Sequence, residues 1–250
     1  MLHIDSGHRT SGTNEAPEFI LAHPILDVVS WRVVNVQIPR SYYCVTSANN
    51  TLTLSDTSIA PATHVVTIPP GNYGAVALAL ALQTAFNSAG GDAHFVVTYS
   101  SSTYRLTITN GTADFTIAWG AGRNVTTNLG VVMGFDVTTD ITPAVAASTG
   151  ASAVNVNIDL SLQVRSQSLT AGLHMVTYDA PVRDAQLMFR VPISAAQGEV
   201  ILWEPQDMFM HYLSARKVDQ HIDFTLCDSY GNVIDLHGLP WRMTLEVWRD

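Results

Sequence analysis

The segment from His221 to Asp250 constrains the fold of this chain more than any other. Apolar and polar residues alternate from His221 to Leu226 and again from Trp241 to Val247, and a turn rich in Asp, Gly and Asn (residues 228–232) separates the two runs. A period of two on both sides of such a turn predicts paired β-strands, each with one buried face. The sequence therefore predicts a β-protein whose function depends on its surfaces more than on a catalytic pocket.

Composition indicates that much of this surface is covered by other molecules. The chain has 250 residues, of which 47% are apolar and 13% charged, against about 25% charged residues in an average soluble domain. Surfaces with so little charge are typical of proteins that pack against neighbours, although apolar surface alone is also common in monomers. The length fits one large β-sandwich or two smaller units.

The charge distribution argues against two classes of partner. The net charge is −9, and eleven Arg and a single Lys, Lys217, are scattered along the chain. Binding of nucleic acid needs a cluster of positive charge, which the sequence lacks. Membrane insertion is not expected, because no run of about 18 apolar residues occurs. Polar residues such as His3 and Arg9 stand where a signal peptide needs an apolar core, so we expect a chain made without secretion.

No cofactor, metal site or catalytic centre is predicted. The nine histidines are dispersed without the spacing of a zinc site, and neither a nucleophile elbow nor a phosphate-binding loop is present. His211, His221 and Asp223 are the one set that could converge, but a solvent-facing polar pair on a strand explains His221 and Asp223 better. Cys44 and Cys227 lie in apolar strand patterns and are expected to be buried free thiols, with a disulfide between them as the alternative.

The pattern divides the chain into an arm, a sandwich and an insertion. Residues 1–19 lack periodicity and predict an extended arm that becomes ordered only against a partner. Residues 20–63 and 141–250 predict a two-sheet β-sandwich. Residues 64–140 predict an inserted β-α-β-β-β unit with one helix, over residues 74–87, because Ala and Leu favour helix and a Gly pair follows.

The long alternation after the internal linker predicts a sandwich wall. Residues 138–152 are dominated by Thr, Ala, Ser and Gly and form the best internal boundary. From Val154 to Val164 every second residue is apolar, which predicts one long strand.

Two passages resemble the single jelly-roll penton and minor capsid proteins of double-jelly-roll DNA viruses, the large eukaryotic DNA viruses and their virophages. The first runs from Thr67 to Tyr73, TIPPGNY, and continues into the Ala/Leu helix through Leu82–Asn87. It is similar to a β-α-β module found in structural proteins of such viruses. The second, from Leu226 to Gly238 and on to Val247, is similar to the closing strands of their jelly rolls.

The resemblance implies an all-β jelly-roll sandwich that works by assembly in the virion capsid. The implied function is a penton, a homopentamer at the fivefold vertex that contacts the major capsid protein, or else a minor capsid protein that cements it. Other minor capsid proteins and a host receptor glycan are further possible partners. The candidate interaction residues are His3, Arg9 and Phe19 on the arm, and Trp248, which the alternation places opposite Val247.

A different class of function remains open at this stage. Four tryptophans, Trp119, Trp203, Trp241 and Trp248, offer flat apolar faces that would suit a carbohydrate. A lectin-like receptor-binding sandwich is therefore the second hypothesis, and it requires exposed aromatic rings. An enzyme is not expected.

Overall fold

The computed structural model describes residues 1–56, 63–90, 94–111, 114–120, 126–141, 147–157, 160–170, 186–206 and 211–249, with backbone only for residues 90 and 211–219. In chain order the strands are β1 (Leu2–Asp5), β2 (Ser11–Gly12), β3 (Pro17–Pro39), β4 (Thr51–Asp56), β5 (Thr63–Thr67), β6 (Phe95–Ser100), β7 (Arg105–Asn110), β8 (Phe115–Ala118), β9 (Ala147–Thr149), β10 (Ser161–Arg165), β11 (Leu187–Pro192), β12 (Val200–Trp203), β13 (His211–Asp223), β14 (Thr225–Cys227) and β15 (Arg242–Arg249). The helices are α1 (Ala75–Gly90) and two single turns, α2 (Leu129–Val132) and α3 (Gln167–Thr170).

Contacts divide the chain into two compact units. Unit 1 comprises residues 1–42 and 159–250, and unit 2 comprises residues 43–158. The sequence places the insertion at residues 64–140, so the contact boundaries lie about twenty residues further out on each side. The reason is that β4, expected in the sandwich, is the central strand of the unit 2 sheet β5-β4-β8.

The larger sheet of unit 1 is built around β3. Strand β15 pairs with β3 along one edge, and β13 and β12 pair with successive parts of β3, all antiparallel. The register between β15 and β3 shifts between Thr244 and Leu245. Because Val33 and Val36 are both buried, this shift keeps the apolar side chains of β3 on the core face after an extra residue.

The second sheet of unit 1 has the order β11-β10-β14 and is also antiparallel. Buried apolar side chains come from both sheets, including Trp31, Ile38, Leu162, Val164, Val191, Phe224, Leu226, Trp241, Met243 and Leu245. Two antiparallel sheets with alternating buried residues are the architecture of a sandwich. The predicted all-β jelly-roll class is confirmed by this arrangement and by the structural likeness reported below.

The N-terminal residues are part of the sheet instead of the extended arm that the sequence suggested. Strand β1 pairs with β15, with Leu2 opposite Leu245 and Asp5 opposite Arg242. The Ser6 N–H donates to the Trp241 carbonyl at 2.9 Å, and the Trp241 N–H donates to Ser6 Oγ at 2.8 Å. The arm expectation is corrected because the pairing partner lies at the opposite end of the chain, where local periodicity carries no information.

The predicted strand from Val154 to Val164 is also wrong. Residues 153–157 form no strand, and Val154 and Val156 pack against the unit 2 core. Of the described residues in this stretch, only Ser161–Arg165 form a strand, β10, with Leu162 and Val164 buried in unit 1. The alternation is continuous in sequence, but its two halves serve two different cores.

Unit 2 contains the predicted helix, α1, and two small antiparallel sheets, β5-β4-β8 and β6-β7-β9. The helix buries Leu78, Leu82 and Phe86 in a core shared with strand residues of the unit. Phe95 lies 5.4 Å from Phe86 and 5.6 Å from Phe115 between ring centres. The Asn87 side chain accepts from the Phe95 N–H at 2.9 Å and donates to its carbonyl at 3.0 Å, which fixes β6 beside the helix.

Candidate interaction surfaces

The strands β1 and β15 present a polar face that contains two of the predicted interaction residues. His3 lies opposite Thr244, and its Nδ1 is 3.2 Å from Thr244 Oγ1. Arg242, Thr244, Glu246 and Trp248 follow at every second position of β15, so they share this face. The intervening Met243 and Leu245 are buried, which identifies the His3 side as the outer face of the sheet.

Two ion pairs lie on this outer face. The Arg242 Nε donates to Asp5 Oδ2 at 2.8 Å. Burial would raise the pKa of Asp5, but the hydrogen bonds from Arg242 and from the Gly7 N–H outweigh it and hold the pKa below its ordinary value. On the neighbouring strand, Arg32 donates from Nη2 at 2.5 Å and from Nε at 2.7 Å to Glu246 Oε2.

Trp248 is partly covered by this second pair. The Arg32 guanidinium carbon lies 5.2 Å from the centre of the Trp248 ring, within the range of a cation–π contact. Trp248 is half-buried, and Ser30 lies opposite it on β3. The ring is thus held in one orientation on the outer face.

Arg9 holds the N-terminal segment in place. Its Nε donates to the Gly12 carbonyl at 2.9 Å, and its Nη1 donates to the Ser6 carbonyl at 3.0 Å and to Asn14 Oδ1 at 2.6 Å. The Asn14 carbonyl in turn accepts from Trp241 Nε1 at 2.7 Å. Arg9 therefore has an intramolecular role within unit 1.

Phe19 belongs to an aromatic row that leads into the core. Its ring centre lies 6.3 Å from Phe224, which lies 6.2 Å from Trp241, and both pairs meet edge to face. Phe19 itself is half-buried, whereas Phe224 and Trp241 are buried. Of the four predicted residues, the structure brings His3 and Trp248 to one face and places Arg9 and Phe19 elsewhere in unit 1.

Sequence reasoning missed Arg32, Glu246, Asp5 and Arg242 on the outer face. Each ion pair joins residues that are more than 200 positions apart. The available signal was the alternation itself, because Arg242 and Glu246 occupy the polar positions of the predicted last strand and require partners on its neighbours.

Two of the side chains considered for catalysis, those of Asp223 and His221, have structural partners. Asp223 accepts from the N–H groups of Gln167 and Ser168 at 2.9 and 2.7 Å, at the start of α3. Burial would raise the pKa of Asp223, but hydrogen bonds from Ser168 and Gln167 outweigh it and lower the pKa. His221 Nε2 lies 3.7 Å from Glu18 Oε2 on the sheet surface, and the side chain of His211 lies outside the described residues.

The two cysteines are buried free thiols. Burial, with Asp228 nearby, raises the pKa of Cys227 against the opposing influence of Arg165. Among the described residues, no group of three or more His, Cys, Asp or Glu is placed to hold a metal ion. In the same part of the chain, no helix combines the length and apolar character needed to cross a membrane.

The tryptophans considered for carbohydrate binding are mostly unavailable. Trp119 and Trp241 are buried, and Arg32 lies over Trp248. Trp203 is half-buried and stacks on Phe189, with ring centres 5.3 Å apart and an angle of 17°. Trp203 and Trp248 are thus half-buried, and each has a neighbouring side chain against its ring.

Unit 2 has a second candidate surface, a cleft between β5 and α1. Its volume is about 700 Å³, and the described residues that line it carry no charge; they include Val65, Thr67, Tyr73, Leu80, Thr84 and Ser88. Val65 and Leu80 are 68% and 64% exposed. The cleft is therefore an apolar surface open to solvent.

The sandwich sheets of unit 1 and the β-rich insertion define the fold class, an all-β jelly roll with an inserted unit. Among the solved structures that it resembles is the mavirus penton protein, with 10% sequence identity, a TM-score of 0.50 and coverage of 99% of both chains. Comparison of the sequence with protein-family models and with curated proteins finds no match. The likeness is thus one of fold, and it includes both units.

Proposed function

We propose that this chain is a structural protein of a viral capsid, and that it serves as the penton at the fivefold vertex. The observation that carries the proposal is the fold likeness to the mavirus penton protein over 99% of each chain, which includes the insertion as well as the jelly roll. The low charge content, 13%, supports a surface that neighbours cover.

In the proposed role the chain forms a homopentamer that contacts the major capsid protein. Cyclic assembly requires two different patches of each subunit to meet. The outer face of β1 and β15 suits one of these patches, because its charged side chains already form ion pairs within the chain. When a neighbouring subunit excludes water from this face, these charges keep their partners. His3 and Trp248 lie on this face and are the residues we assign to the contact.

Native mass spectrometry of the purified chain, at a low and a high concentration, tests the proposal. A closed pentamer supports the vertex role. A monomer at both concentrations contradicts it and favours the alternative, a minor capsid or cement protein that binds only to the assembled major capsid protein.

A matched pair of variants tests the assigned face. His3→Glu adds a carboxylate beside Asp5 on the outer face, and we expect it to weaken the pentamer. His8→Glu is the control, because His8 also lies near Asp5 but ends the short 3-10 turn, Ser6–His8, that follows β1. Equal pentamer stability in the two variants would show that this face is not the contact.

A further inference from the structure

The turn between β6 and β7 holds an aromatic residue in a strained backbone conformation. Tyr104 has a φ of 59°, in the left-handed region that favours Gly or Asn and that a bulky residue rarely adopts. Two hydrogen bonds hold its backbone there: its N–H donates to the Ser100 carbonyl at 2.7 Å, and its carbonyl accepts from the Val154 N–H at 2.8 Å. Burial does not offset the strain, because Tyr104 is 60% exposed. Strain of this kind is typical of residues that bind a ligand.

The sheet that carries this turn has an outward side made of hydroxyl groups. Leu106 and Ile108 of β7 are buried in the unit 2 core, so the alternate positions point away from it. These positions bring Thr98, Thr107 and Thr149 directly opposite one another across β6, β7 and β9. Thr107 Oγ1 lies 2.9 Å from Thr149 Oγ1. We call this side the hydroxyl face; it comprises Thr98, Ser100, Thr107, Thr109 and Thr149.

An exposed guanidinium lies at the turn end of the hydroxyl face. Arg105 is opposite Ser100 and two positions before Thr107, so it belongs to the same side of the sheet. Within the described part of the chain no carboxylate pairs with Arg105, whereas Arg32 and Arg242 each bind one in unit 1. A guanidinium has five N–H donors in a planar arrangement that fits a carboxylate or a sulfate. Arg105 can therefore bind an anionic group of a ligand.

The three features together match the chemistry of an acidic sugar. Ser and Thr hydroxyls both donate and accept hydrogen bonds, as sugar hydroxyls require. An exposed tyrosine ring offers an apolar surface on which a sugar ring can pack, and the guanidinium binds an acidic substituent through two parallel hydrogen bonds. A protein partner fits less well, because protein interfaces are centred on large apolar anchors. On the described strands of this face the one large apolar side chain is Val96.

We propose that the hydroxyl face, with Tyr104 and Arg105 at its turn end, is a binding site for an acidic oligosaccharide. Arg105 binds the carboxylate or sulfate, the Tyr104 ring packs on a neighbouring sugar ring, and the hydroxyls bind the sugar hydroxyl groups. The site lies within unit 2 and does not depend on the oligomer proposed above. It adds recognition of carbohydrate to a chain whose proposed role is assembly.

Titration of the full chain with defined sugars tests the site. Sialyllactose supplies a carboxylate, a heparin tetrasaccharide supplies sulfates, and lactose is the neutral control. By ligand-observed NMR we expect at least one acidic sugar to bind about tenfold more tightly than lactose, and the tighter of the two identifies the anionic group. Equal binding of all three sugars, or binding of none, overturns the proposal. A hexaglutamate peptide that binds as tightly as the acidic sugars also overturns it, because the site would then recognise charge alone.

A matched pair of arginine variants assigns the binding to this face. Arg105→Gln should raise the dissociation constant of the acidic sugar about tenfold and leave that of lactose unchanged. Arg190→Gln is the control, because it removes the same charge from an exposed position on β11 in unit 1. Equal losses in the two variants would mean that only the overall charge of the chain matters and would overturn the site.

Tyr104→Gly separates binding from stability. Gly adopts the positive φ of this position without strain, so we expect a melting temperature that does not fall, together with weaker binding of the acidic sugar. Unchanged binding would overturn the role of the ring. Failure of the sugar titrations leaves the penton proposal standing, since that proposal is tested by the native mass of the chain without any sugar.

Discussion

The guanidinium carbon of Arg32 lies 5.2 Å from the centre of the Trp248 ring, and the same guanidinium binds Glu246. One cation thereby fixes a carboxylate and an aromatic ring that are two positions apart on β15. The three side chains hold the polar end of the outer face in a single arrangement before any neighbour binds.

Trp248→Ala should destabilise unit 1 by about 1 kcal/mol, because it removes a partly exposed cation–π contact. Arg32→Gln alone and the double variant of Arg32→Gln with Trp248→Ala complete a double-mutant cycle. The cycle separates the cation–π contact from the Arg32–Glu246 ion pair. We expect a coupling free energy of about 0.5–1 kcal/mol from chemical denaturation of the four proteins. Additive effects would mean that the ring and the guanidinium do not interact.

Ser6→Ala should lower the free energy of unfolding by about 1–3 kcal/mol, because it leaves the buried Trp241 N–H without its acceptor. Urea denaturation measures the change. Ser47→Ala, at an exposed position, is the control and should have little effect. Equal stability of the two variants would indicate that residues 1–16 are not part of the folded sheet in solution.

The lowered pKa of Asp223 predicts that the stability of the fold depends on pH. Its pKa is lowered in the folded state. The carboxylate therefore adds to the free energy of unfolding at every pH above its unfolded pKa, about 3.9. This stabilisation is lost as the pH falls through the lower folded pKa. Asp223→Asn should therefore be less stable than the native chain at neutral pH, and the difference should shrink in acid. Thermal unfolding between neutral pH and about pH 3 measures it.

The control for Asp223 is Asp27→Asn, at an exposed position. Asn tolerates the positive φ of 54° found there. A difference for Asp223→Asn that is the same at every pH would contradict the assigned role at the start of α3.

The two possible boundaries of the insertion make opposite predictions. Joining residue 42 to residue 159 through a Gly/Ser bridge removes all of unit 2, and we expect unit 1 to fold. Joining residue 63 to residue 141 leaves β4 without β5 and β8, its two neighbours, and exposes Leu52 and Leu54.

We expect the second variant to aggregate, because unpaired strand edges with apolar faces associate. Soluble yield and circular dichroism distinguish the two proteins. A well-folded second variant together with an insoluble first one would support the narrower boundaries.

The strands of the C-terminal segment could be predicted because a period of two depends only on neighbouring residues. Helix α1 was predictable for a similar reason, since Ala and Leu favour helix wherever they stand. The role of Ser6 could not be predicted, because its partner, Trp241, is 235 positions away. For residues 154–164 the pattern shows which side chains are buried, but it does not show that Val156 and Leu162 belong to different cores.

The candidate surfaces show the same limit. Trp248 was predicted from its place in the alternation. The guanidinium that covers it belongs to Arg32 on β3, and no sequence pattern near Trp248 indicates this contact. The cleft in unit 2 was missed because each residue that lines it is ordinary by itself. Its character comes from the absence of charge among the described residues that line it, which only the folded unit brings together.

The pairing of β1 with β15 has a consequence for biosynthesis. In the sheet β15 lies between β1 and β3, although Arg242 of β15 is synthesised 237 residues after Asp5 of β1. Contacts between such distant residues form slowly and late in folding. A chain cut short before β15 lacks the partner of both β1 and β3. The outer face therefore forms only on chains that include β15, and products truncated before it would be excluded from any assembly that uses this face.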